Sequence, residues 1–483
     1  MTENELKKEK KRKLFPGNWE FAVVKYVFIA LFAALIIHFA DFMINDSADF
    51  INNDYNSREE LFAERVTRGK IQSADGMVLA TTVNNEEGEE ERYYPYKNLF
   101  AHIVGYSTNG KYGIEKLANY DLLKSHVSID EKVETELGSA KYIGDNVITT
   151  LNYELQQTAY DALSFYEGAI VVMEPSTGKI LAMVSKPDFN PNDVEAEWDY
   201  LISEENTSTV LLNRATQGLY PPGSTFKIVT TLAYLRENGD PSAYTFQCNG
   251  KLATNDAVIH CYQNKKHGTV NLEESFAESC NSSFANIGLS LDVNSFQKVC
   301  DSLLFNQALP TKLAYSKSRF SLTEESKESD ILQSAIGQGT TLVTPFHMAL
   351  LTSAVANDGV LMTPYVIDHI ESHSGEIVKQ YQPTTYQRLM TKEEAALLQQ
   401  YMRAVVDHGT GTKLKSKSYE AYGKTGSAEF SSLAEHCHSW FVGYAHQDEK
   451  HDIAVAILVE EAGSGSSVAV PMAKKIFDAY FEE

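Results

Sequence analysis

Positive charge is scarce in this chain, and so is cysteine. The 483 residues include 42 Lys and Arg against 65 Asp and Glu, which gives a formal net charge of −23 at pH 7. A protein with this much negative charge repels phosphates, which argues against nucleic acid as a partner. Cysteine occurs five times, and an odd number leaves at least one thiol unpaired within a monomer. Internal repeats and low-complexity tracts are not apparent either, and 43% of the residues are hydrophobic. We therefore expect globular domains with a large core.

The cysteines leave two alternatives open. Cys248 and Cys261 flank a short segment, and in an oxidising exterior they could either join in a disulfide or stay free. Cys280 is expected to be a small buried side chain. The run His436-Cys437-His438 invites a metal interpretation, but nothing elsewhere completes a recognisable ligand set. The sequence therefore predicts neither a metal nor a cofactor.

A long apolar run lies near the N-terminus. Residues 21–40 are apolar apart from Lys25 and His38, and about 20 such residues can span a bilayer. Residues 1–13 contain six basic and three acidic side chains, which is typical of a cytoplasmic N-terminus. Because no good small-x-small cleavage site follows the run, we predict a retained anchor rather than a cleaved signal peptide. The expected arrangement is a cytoplasmic tail over 1–20, a single transmembrane helix over 21–43 and an extracytoplasmic bulk at the cell membrane.

Three short motifs occur in a fixed order and together supply a nucleophile, two amines, a second hydroxyl and an amide. They are Ser-Thr-Phe-Lys at 224–227, Ser-Cys-Asn at 279–281 and Lys-Thr-Gly at 424–426. Ser224 follows the rigid turn Pro221-Pro222-Gly223 and precedes an apolar run, so we expect it to begin a buried helix. Lys227 then lies one turn later on the same face. Poor solvation favours the neutral form of the Lys227 amine, which can act as a base. The helix N-terminus directs backbone N–H groups towards Ser224.

The same Ser-x-x-Lys spacing occurs twice more. Ser176 lies between two apolar runs, which predicts the turn of a β-hairpin over 168–185. Ser295 is expected to be a helix-entry cap or a surface residue. The glycines around Thr410 lack the spacing of a phosphate-binding loop and predict a turn. Ser224 is therefore the predicted nucleophile.

The pattern of short apolar runs predicts an α+β fold. Strands over 439–444 and 453–459 are expected to join the hairpin, with a further strand over 421–430 beside them. Helical segments fill the middle, and a last helix over 470–481 closes the chain. The expected architecture is a central antiparallel sheet built from both ends of the chain, flanked by helices and a helical subdomain. The connection over 460–467, rich in Gly and Ser, is predicted to form one lip of the active-site cleft.

With these residues in place, the chain resembles the class B penicillin-binding proteins, which are D,D-transpeptidases of peptidoglycan synthesis. The likeness covers about residues 55–483. Besides the three motifs, it is carried by Asn213-Arg214-Ala215, Pro221-Pro222-Gly223, Gly337-Gln338-Gly339 and Ser427-Ala428-Glu429. The family's Asp-Arg-Asn-Gly core just outside the membrane is degraded, with Ser73-Ala74 replacing its first two residues. The resemblance implies a pedestal domain for dimerisation or partner binding over 44–150 and a transpeptidase domain over 151–483.

The resemblance also implies roles for the catalytic residues. Ser224 would attack the penultimate D-Ala carbonyl of a stem peptide, while Lys227 takes its proton. Ser279 would bridge Lys227 and Lys424 and relay a proton towards the departing D-Ala nitrogen. An amine from a neighbouring strand would then resolve the acyl-enzyme and form a crosslink.

Further residues are expected to bind the substrate. Asn281 would hold the donor peptide's amide, and Thr425 and Ser427 would bind the terminal carboxylate beside Gly426. The backbone N–H groups of Ser224 and Ser427 would form the oxyanion hole. The implied partners are peptidoglycan stem peptides, lipid-linked precursor strands, β-lactam antibiotics and a membrane glycan polymerase.

Other function classes stay open. A membrane-anchored β-lactamase would share the acylation, but it needs no pedestal, and we see no segment for its deacylating glutamate. A bifunctional synthase would need a glycosyltransferase domain before Ser224, and the sequence leaves no room for one. A non-catalytic scaffold that only binds β-lactams does not require Ser224, Lys227, Ser279 and Lys424 together. The sequence does not distinguish roles in division, elongation and sporulation.

Overall fold

A computed structural model of the chain describes residues 19–42, 63–127, 141–429 and 437–482. Nearly all of the predicted basic tail, most of the polar stretch after the anchor, and His436 lie outside these ranges. The chain divides into two compact units, Met1–Glu60 and Leu61–Glu483.

The first unit contains the helix Trp19–Asp41. Its side chains are exposed, and its most apolar window has a mean hydropathy of 2.3. By length and composition this helix can cross a membrane. The predicted apolar helix is thus confirmed, with both bounds shifted by two residues towards the N-terminus.

An antiparallel sheet of five strands, here called the main sheet, forms the centre of the second unit. Its strands lie in the order Glu420–Glu429, Cys437–Gln447, Lys450–Val459, Gly168–Met173 and Ile180–Lys186. Strands from both ends of the predicted transpeptidase domain therefore pair side by side, as expected. The strand Glu420–Glu429, here called the third-motif strand, forms one edge and pairs on one side with its neighbour. Among the described residues no strand pairs with its other side.

Helices cover both faces of the main sheet, because successive side chains of a strand point to opposite faces. Ile170 packs with the helices Tyr153–Leu163 and Ala469–Phe481 on one face. Val171 faces the other way, towards the helix Pro345–Ala356. A strand buried on both faces is apolar at nearly every position, which explains its unbroken hydrophobic run. The predicted last helix is confirmed and begins one residue earlier than expected.

A second sheet joins the predicted pedestal to the rest of the unit. Its strands lie in the order Ile377–Gln380, Ile367–Glu371, Asn146–Thr149, Ile71–Gln72, Val78–Asn84 and Glu90–Tyr93. The pairing of Asn146–Thr149 with Ile367–Glu371 carries this sheet across the predicted domain boundary at residue 150.

The middle of the second unit is largely helical, as predicted. Its α-helices are Lys227–Asn238, Leu272–Ala277, Asn281–Ser290, Val293–Ser302, Glu328–Ala335, Pro345–Ala356 and Lys392–Asp407. Further helices precede them at Ala101–Val104, Gly113–Leu117, Asn119–Leu122 and Val194–Leu201. Small two-stranded sheets pair Val66–Thr67 with Tyr142–Ile143, Thr245–Cys248 with Gly268–Asn271, Lys251–Ala253 with Val258–His260, and Val360–Met362 with Thr385–Arg388.

Candidate active site

The predicted nucleophile lies at a sharp turn that leads into a buried helix. Gly223 has a φ of 53°, which favours glycine, and a Cβ there would stand 2.9 Å from the Ser427 carbonyl oxygen. Gly223–Phe226 is a 3-10 helix, and the α-helix Lys227–Asn238 follows directly. The α-helix thus begins three residues later than predicted, because the first turn is wound more tightly. Ser224 is half-buried and lines a cleft of about 1430 Å³.

Lys227 is fully buried among oxygen acceptors. Its Nζ donates to the Ser279 carbonyl oxygen and to Asn281 Oδ1, each at 2.8 Å. The Phe284 ring centroid lies 5.2 Å from the same atom. Burial lowers the pKa of the Lys227 amine from 10.5 to about 7. Near neutral pH this amine can therefore both take and give a proton, as a general base requires.

Ser279 lies between the two buried lysines. Its Oγ is 3.2 Å from Lys227 Nζ and 2.9 Å from Lys424 Nζ, so one hydroxyl contacts both amines. The Ser279 backbone has a φ of 56°, a left-handed conformation that costs a non-glycine residue about 1–2 kcal/mol. The Cys280 N–H, which donates to the Ser275 carbonyl oxygen at 2.9 Å, helps to hold it there. The strained backbone thus places the hydroxyl where a proton can pass between two amines.

Lys424 comes from the third-motif strand, which the sequence predicted to within one residue at each end. Its side chain is fully buried, and its Nζ lies 5.6 Å from the Phe276 ring centroid. Burial, followed by the like charge of Lys227, holds the pKa of Lys424 well below 10.5. Two amines so placed resist double protonation, so the pair can exchange a proton.

The serine turn and the third-motif strand are in direct contact. Gly426 is buried, and a Cβ there would lie 3.0 Å from the Pro222 carbonyl oxygen. Trp440, on the next strand of the main sheet, donates its indole N–H to the Pro221 carbonyl oxygen at 3.0 Å. A larger residue at Gly426 would therefore push the turn away from the sheet.

Polar groups line the cleft beside the third motif. Thr425 Oγ1 lies 2.6 Å from Thr410 Oγ1. Ser427 Oγ accepts a hydrogen bond from the Gly465 N–H at 3.2 Å. Gly463, Ser464 and Ser466 belong to the cleft wall, so the predicted lip over 460–467 is confirmed.

Sequence reasoning missed Thr410 and Trp440. Thr410 was predicted only as a turn residue, and its contact with the third motif spans 15 positions. Trp440 was predicted only as part of a strand, and its contact with Pro221 spans 219 positions. No local pattern marks either residue, because tertiary packing alone creates their contacts.

The other two Ser-x-x-Lys serines have the structural settings expected of non-catalytic residues. Ser176 occupies the turn between Gly168–Met173 and Ile180–Lys186, as predicted. Ser295 lies in the first turn of the helix Val293–Ser302, and its N–H donates to Asp292, which is the actual cap. Neither serine belongs to the cleft lining.

A cluster of sulfur and nitrogen ligands lies next to the second motif. Cys248, Cys261, His267 and Cys280 each offer one such atom, and these four atoms lie within 4.8 Å of one another. Cys248 and Cys261 form no disulfide, since their Sγ atoms are 3.6 Å apart and both thiols are free. No local pattern marks this group, because its four members are dispersed over a segment without any recognised metal-binding spacing. His436 lies outside the described residues, so the run at 436–438 stays untested.

Comparison with known protein families agrees with the geometry of the cleft. Residues 168–478 match the penicillin binding protein transpeptidase domain. Residues 68–146 match the penicillin binding protein A dimerisation domain. The first match covers all three motifs, and the second falls within the predicted pedestal.

Relatives span nearly the whole chain. The chain is 29% identical to the peptidoglycan D,D-transpeptidase PbpA of Mycolicibacterium smegmatis, over 95% of this chain and 99% of that protein. The crystallised D,D-transpeptidase domain of a peptidoglycan glycosyltransferase from Eggerthella lenta is 32% identical, with a TM-score of 0.77 over 86% of this chain and 99% of that one. Penicillin-binding protein A from M. tuberculosis, solved as a ceftriaxone acyl-enzyme complex, is 26% identical and has a TM-score of 0.77 over the same shares. The chain therefore belongs to the penicillin-binding protein transpeptidase family and is a serine-type peptidoglycan D,D-transpeptidase.

Proposed function

We propose that Ser224 is the acylated nucleophile of this transpeptidase and that Lys227, Ser279 and Lys424 move its proton. The observation that carries this assignment is the position of Ser279 Oγ, 3.2 Å from Lys227 Nζ and 2.9 Å from Lys424 Nζ. Three separate elements thus bring their polar groups to one point beside the cleft that Ser224 lines. A base and a proton relay beside a cleft lined by a serine form the arrangement that acyl transfer requires.

Lys227 is the proposed general base. Burial lowers its pKa to about 7, so a large fraction of the amine is neutral at physiological pH. The neutral amine takes the Ser224 proton as Oγ attacks the penultimate D-Ala carbonyl carbon. The proton then passes through Ser279 to the nitrogen of the departing D-Ala as its C–N bond breaks. An amine from a neighbouring strand attacks the resulting ester, releases Ser224 and completes the crosslink.

The backbone N–H groups of Ser224 and Ser427 are the proposed oxyanion hole. The close approach of Gly223 to the Ser427 carbonyl supports this assignment, because it brings the serine turn against the third-motif strand. Ser224 also lies in the first turn of its helix, where N–H groups lack intrahelical partners. Loss of one such donor typically lowers the rate by about 10²–10³.

The free edge of the main sheet is the proposed docking line for the donor peptide. The third-motif strand pairs on one side only among the described strands, so its backbone can pair with an extended peptide. The hydroxyls of Thr425 and Ser427 bind the terminal carboxylate, and Gly426 permits a close backbone approach. Asn281, on the opposite wall, holds the peptide amide. The buried charge of Lys424 adds positive potential.

The helix Trp19–Asp41 supports a membrane anchor. The basic residues before it favour a cytoplasmic N-terminus and an extracytoplasmic transpeptidase. In that arrangement the enzyme meets stem peptides on lipid-linked precursor strands, and β-lactams acylate Ser224. A membrane glycan polymerase is the proposed partner, with the pedestal as the contact surface. The proposed reaction needs no cofactor.

Intact mass of the full chain, purified in detergent and incubated with penicillin, tests the nucleophile. The wild-type chain should gain one penicillin mass, and Ser224→Ala should gain none. Ser295→Ala, which alters a serine with the same motif spacing outside the cleft, should react like wild type. An adduct on Ser224→Ala would contradict the assignment.

The same measurement separates the alternative functions. Rapid return of the wild-type chain to its free mass, together with hydrolysed drug, would indicate a β-lactamase. Failure of both wild type and Ser295→Ala to form any adduct would indicate a scaffold.

A further inference from the structure

Three cysteines and one histidine converge at the spacing of a tetrahedral metal site. Cys261 Sγ lies 3.6 Å from Cys248 Sγ and 3.7 Å from Cys280 Sγ. His267 Nδ1 lies 3.4 Å from Cys248 Sγ. Zn–S bonds of about 2.3 Å and Zn–N bonds of about 2.0–2.1 Å place tetrahedral ligand atoms about 3.5–3.8 Å apart. These three contacts match the ligand spacing of a tetrahedral site, and because all four atoms lie within 4.8 Å of one another, a contraction of about 1 Å brings the remaining pairs to the same spacing.

Hydrogen-bond donors already point at the sulfur atoms. The Gly250 N–H donates to Cys248 Sγ at 3.4 Å, and the Ser282 N–H donates to Cys261 Sγ at 3.5 Å. Ser282 Oγ lies 3.1 Å from Cys261 Sγ. Such donors stabilise thiolates, which are the form that binds metal, and they orient the ligands.

Sulfur adds to the hydrocarbon core in this region, where Ile259 joins the main hydrophobic cluster and Phe246 and Leu252 pack against it. The small sheets pair Thr245–Cys248 with Gly268–Asn271 and Lys251–Ala253 with Val258–His260. The buried members of their local cluster are the three cysteines, with Phe246 packed against them. Small β segments with little core of their own are typically reinforced by a disulfide or a metal, and these cysteines are free thiols.

We propose that Cys248, Cys261, His267 and Cys280 form a closed tetrahedral site for Zn²⁺ that holds the second motif in place. Three thiolates and one imidazole are a soft donor set that suits zinc. Four protein ligands leave no open position for water, so the ion has a structural rather than a catalytic role.

Cys280 connects this site to the catalytic groups. It stands between Ser279 and Asn281 and is fully buried, so fixing its Sγ restrains both neighbours. The Asn281 side-chain amide also donates to the carbonyl oxygen of His260, the residue before Cys261. Loss of the metal would therefore loosen the Ser279 hydroxyl from the lysines. This consequence rests on the proposed catalytic roles, whereas metal binding itself does not.

The thiolates also make the site sensitive to oxidation. Cys261 and His267 line the cleft, which gives small oxidants a route to the sulfur atoms. Hydrogen peroxide would take two electrons from the Cys248 and Cys261 thiolates and become two hydroxide ions, while one S–S bond forms and Zn²⁺ leaves. The disulfide between Cys248 and Cys261 is then the oxidised, metal-free form of the same site.

Zinc content of the full chain, purified in detergent with a reductant, tests metal binding. Elemental analysis should find one zinc per chain in the wild type and in Cys300→Ala, the matched control that alters a buried cysteine outside the cluster. Cys248→Ser and Cys261→Ser should bind zinc at least about tenfold more weakly in competition with a chromogenic chelator. Co²⁺ in the wild-type chain should give the thiolate charge-transfer bands of a tetrahedral site. Absence of those bands, or unchanged zinc affinity in Cys261→Ser, would overturn the site.

The wild-type chain gives a second test that does not depend on the folding of a variant. Hydrogen peroxide should release the zinc, remove two hydrogen atoms from the mass of the reduced chain and link the Cys248 and Cys261 peptides. Penicillin acylation should slow by about tenfold or more and recover with reductant and Zn²⁺. Zinc release without slower acylation would overturn the role in the second motif. Ser224→Ala should keep its zinc without being acylated, which separates failure of the site from failure of the catalytic assignment.

Discussion

The second and third motifs meet in one cleft but are held in place by different physics. The third motif lies on the edge of the main sheet, next to the strand that buries Trp440 and Phe441 completely. The second motif follows the short helix Leu272–Ala277 and lies beside a cluster whose buried members are three cysteines. Apolar packing holds both walls, since Phe276 and Phe284 beside the second motif are also fully buried, but only the second wall adds a left-handed backbone and a sulfur cluster. The comparison indicates that the main sheet fixes the wall of the third motif, whereas metal loss or oxidation at the cysteine cluster would move the wall of the second motif.

The hydrogen-bond partners of the two buried lysines differ in the same way. Lys227 Nζ has three oxygen contacts, and all of them come from Ser279 and Asn281 of the second motif. Lys424 Nζ contacts Ser279 Oγ, but it also contacts the carbonyl oxygen of Thr425 within its own strand. Movement of the second motif would thus affect Lys227, the proposed base, more than Lys424.

The largest expected effect comes from removing the hydroxyl that links the two walls. Ser279→Ala should lower the rate constant of penicillin acylation by about 10²–10⁴, the usual contribution of a positioned proton-transfer group. Stopped-flow measurement with a fluorescent penicillin gives this constant. Thr425→Val removes one hydroxyl from the other wall and should lower it by only about 10-fold, because it deletes a single hydrogen bond to a charged carboxylate. Equal losses in the two variants would show that Ser279 only binds substrate.

Truncation of a buried side chain should lower the free energy of unfolding more at the third-motif wall than at the second-motif wall. Phe441→Ala removes a fully buried ring beneath the third motif and should lower the free energy of unfolding by about 3–5 kcal/mol. Phe246 is only partly buried, against the cysteines and the margin of the main core, so Phe246→Ala should lower it by about 1–2 kcal/mol. Denaturant unfolding of the full chain measures both values. A larger loss for Phe246→Ala would mean that the cysteine region is held by apolar packing after all.

Metal removal should loosen one wall and leave the other unchanged. After chelation of the wild-type chain, backbone amides over 245–280 should exchange with deuterium about tenfold faster, since local opening loses the restraint of the ion. Amides of the third-motif strand should keep their protection because main-sheet pairing does not involve the cluster. Equal acceleration in both segments would contradict the division between the walls.

The smallest expected effect is a change of rate with pH. Lys227 must be neutral to act as a base, and its lowered pKa of about 7 means that the neutral form is present above pH 7 and lost below it. Penicillin acylation should therefore rise about tenfold from pH 6 to pH 8, following the neutral fraction. Rate constants measured across this range check the sign. A rate that falls as pH rises through 7 would exclude a neutral Lys227 as the base.

Much of the fold could be predicted because its signals are local. The hairpin around Ser176, the third-motif strand and the last helix each show an apolar period or a turn pattern that short stretches of chain encode. Where local rules fell short, the errors were small: the α-helix after Ser224 begins at Lys227, and Asp292 rather than Ser295 caps its helix. The second sheet was not predicted, because its pairing of Asn146–Thr149 with Ile367–Glu371 depends on contacts between distant segments.

The sequence alone determined the order of the three motifs, the apolar helix near the N-terminus and the chemical types available at the site, because each is a property of neighbouring residues. Only the tertiary structure placed the Ser279 hydroxyl between Lys227 and Lys424 and lowered the pKa of both amines, since burial and distance depend on packing. The same packing brought Cys248, Cys261 and Cys280 together with a histidine. Cysteines that are far apart in the sequence form a set of metal ligands only when folding brings their sulfur atoms together.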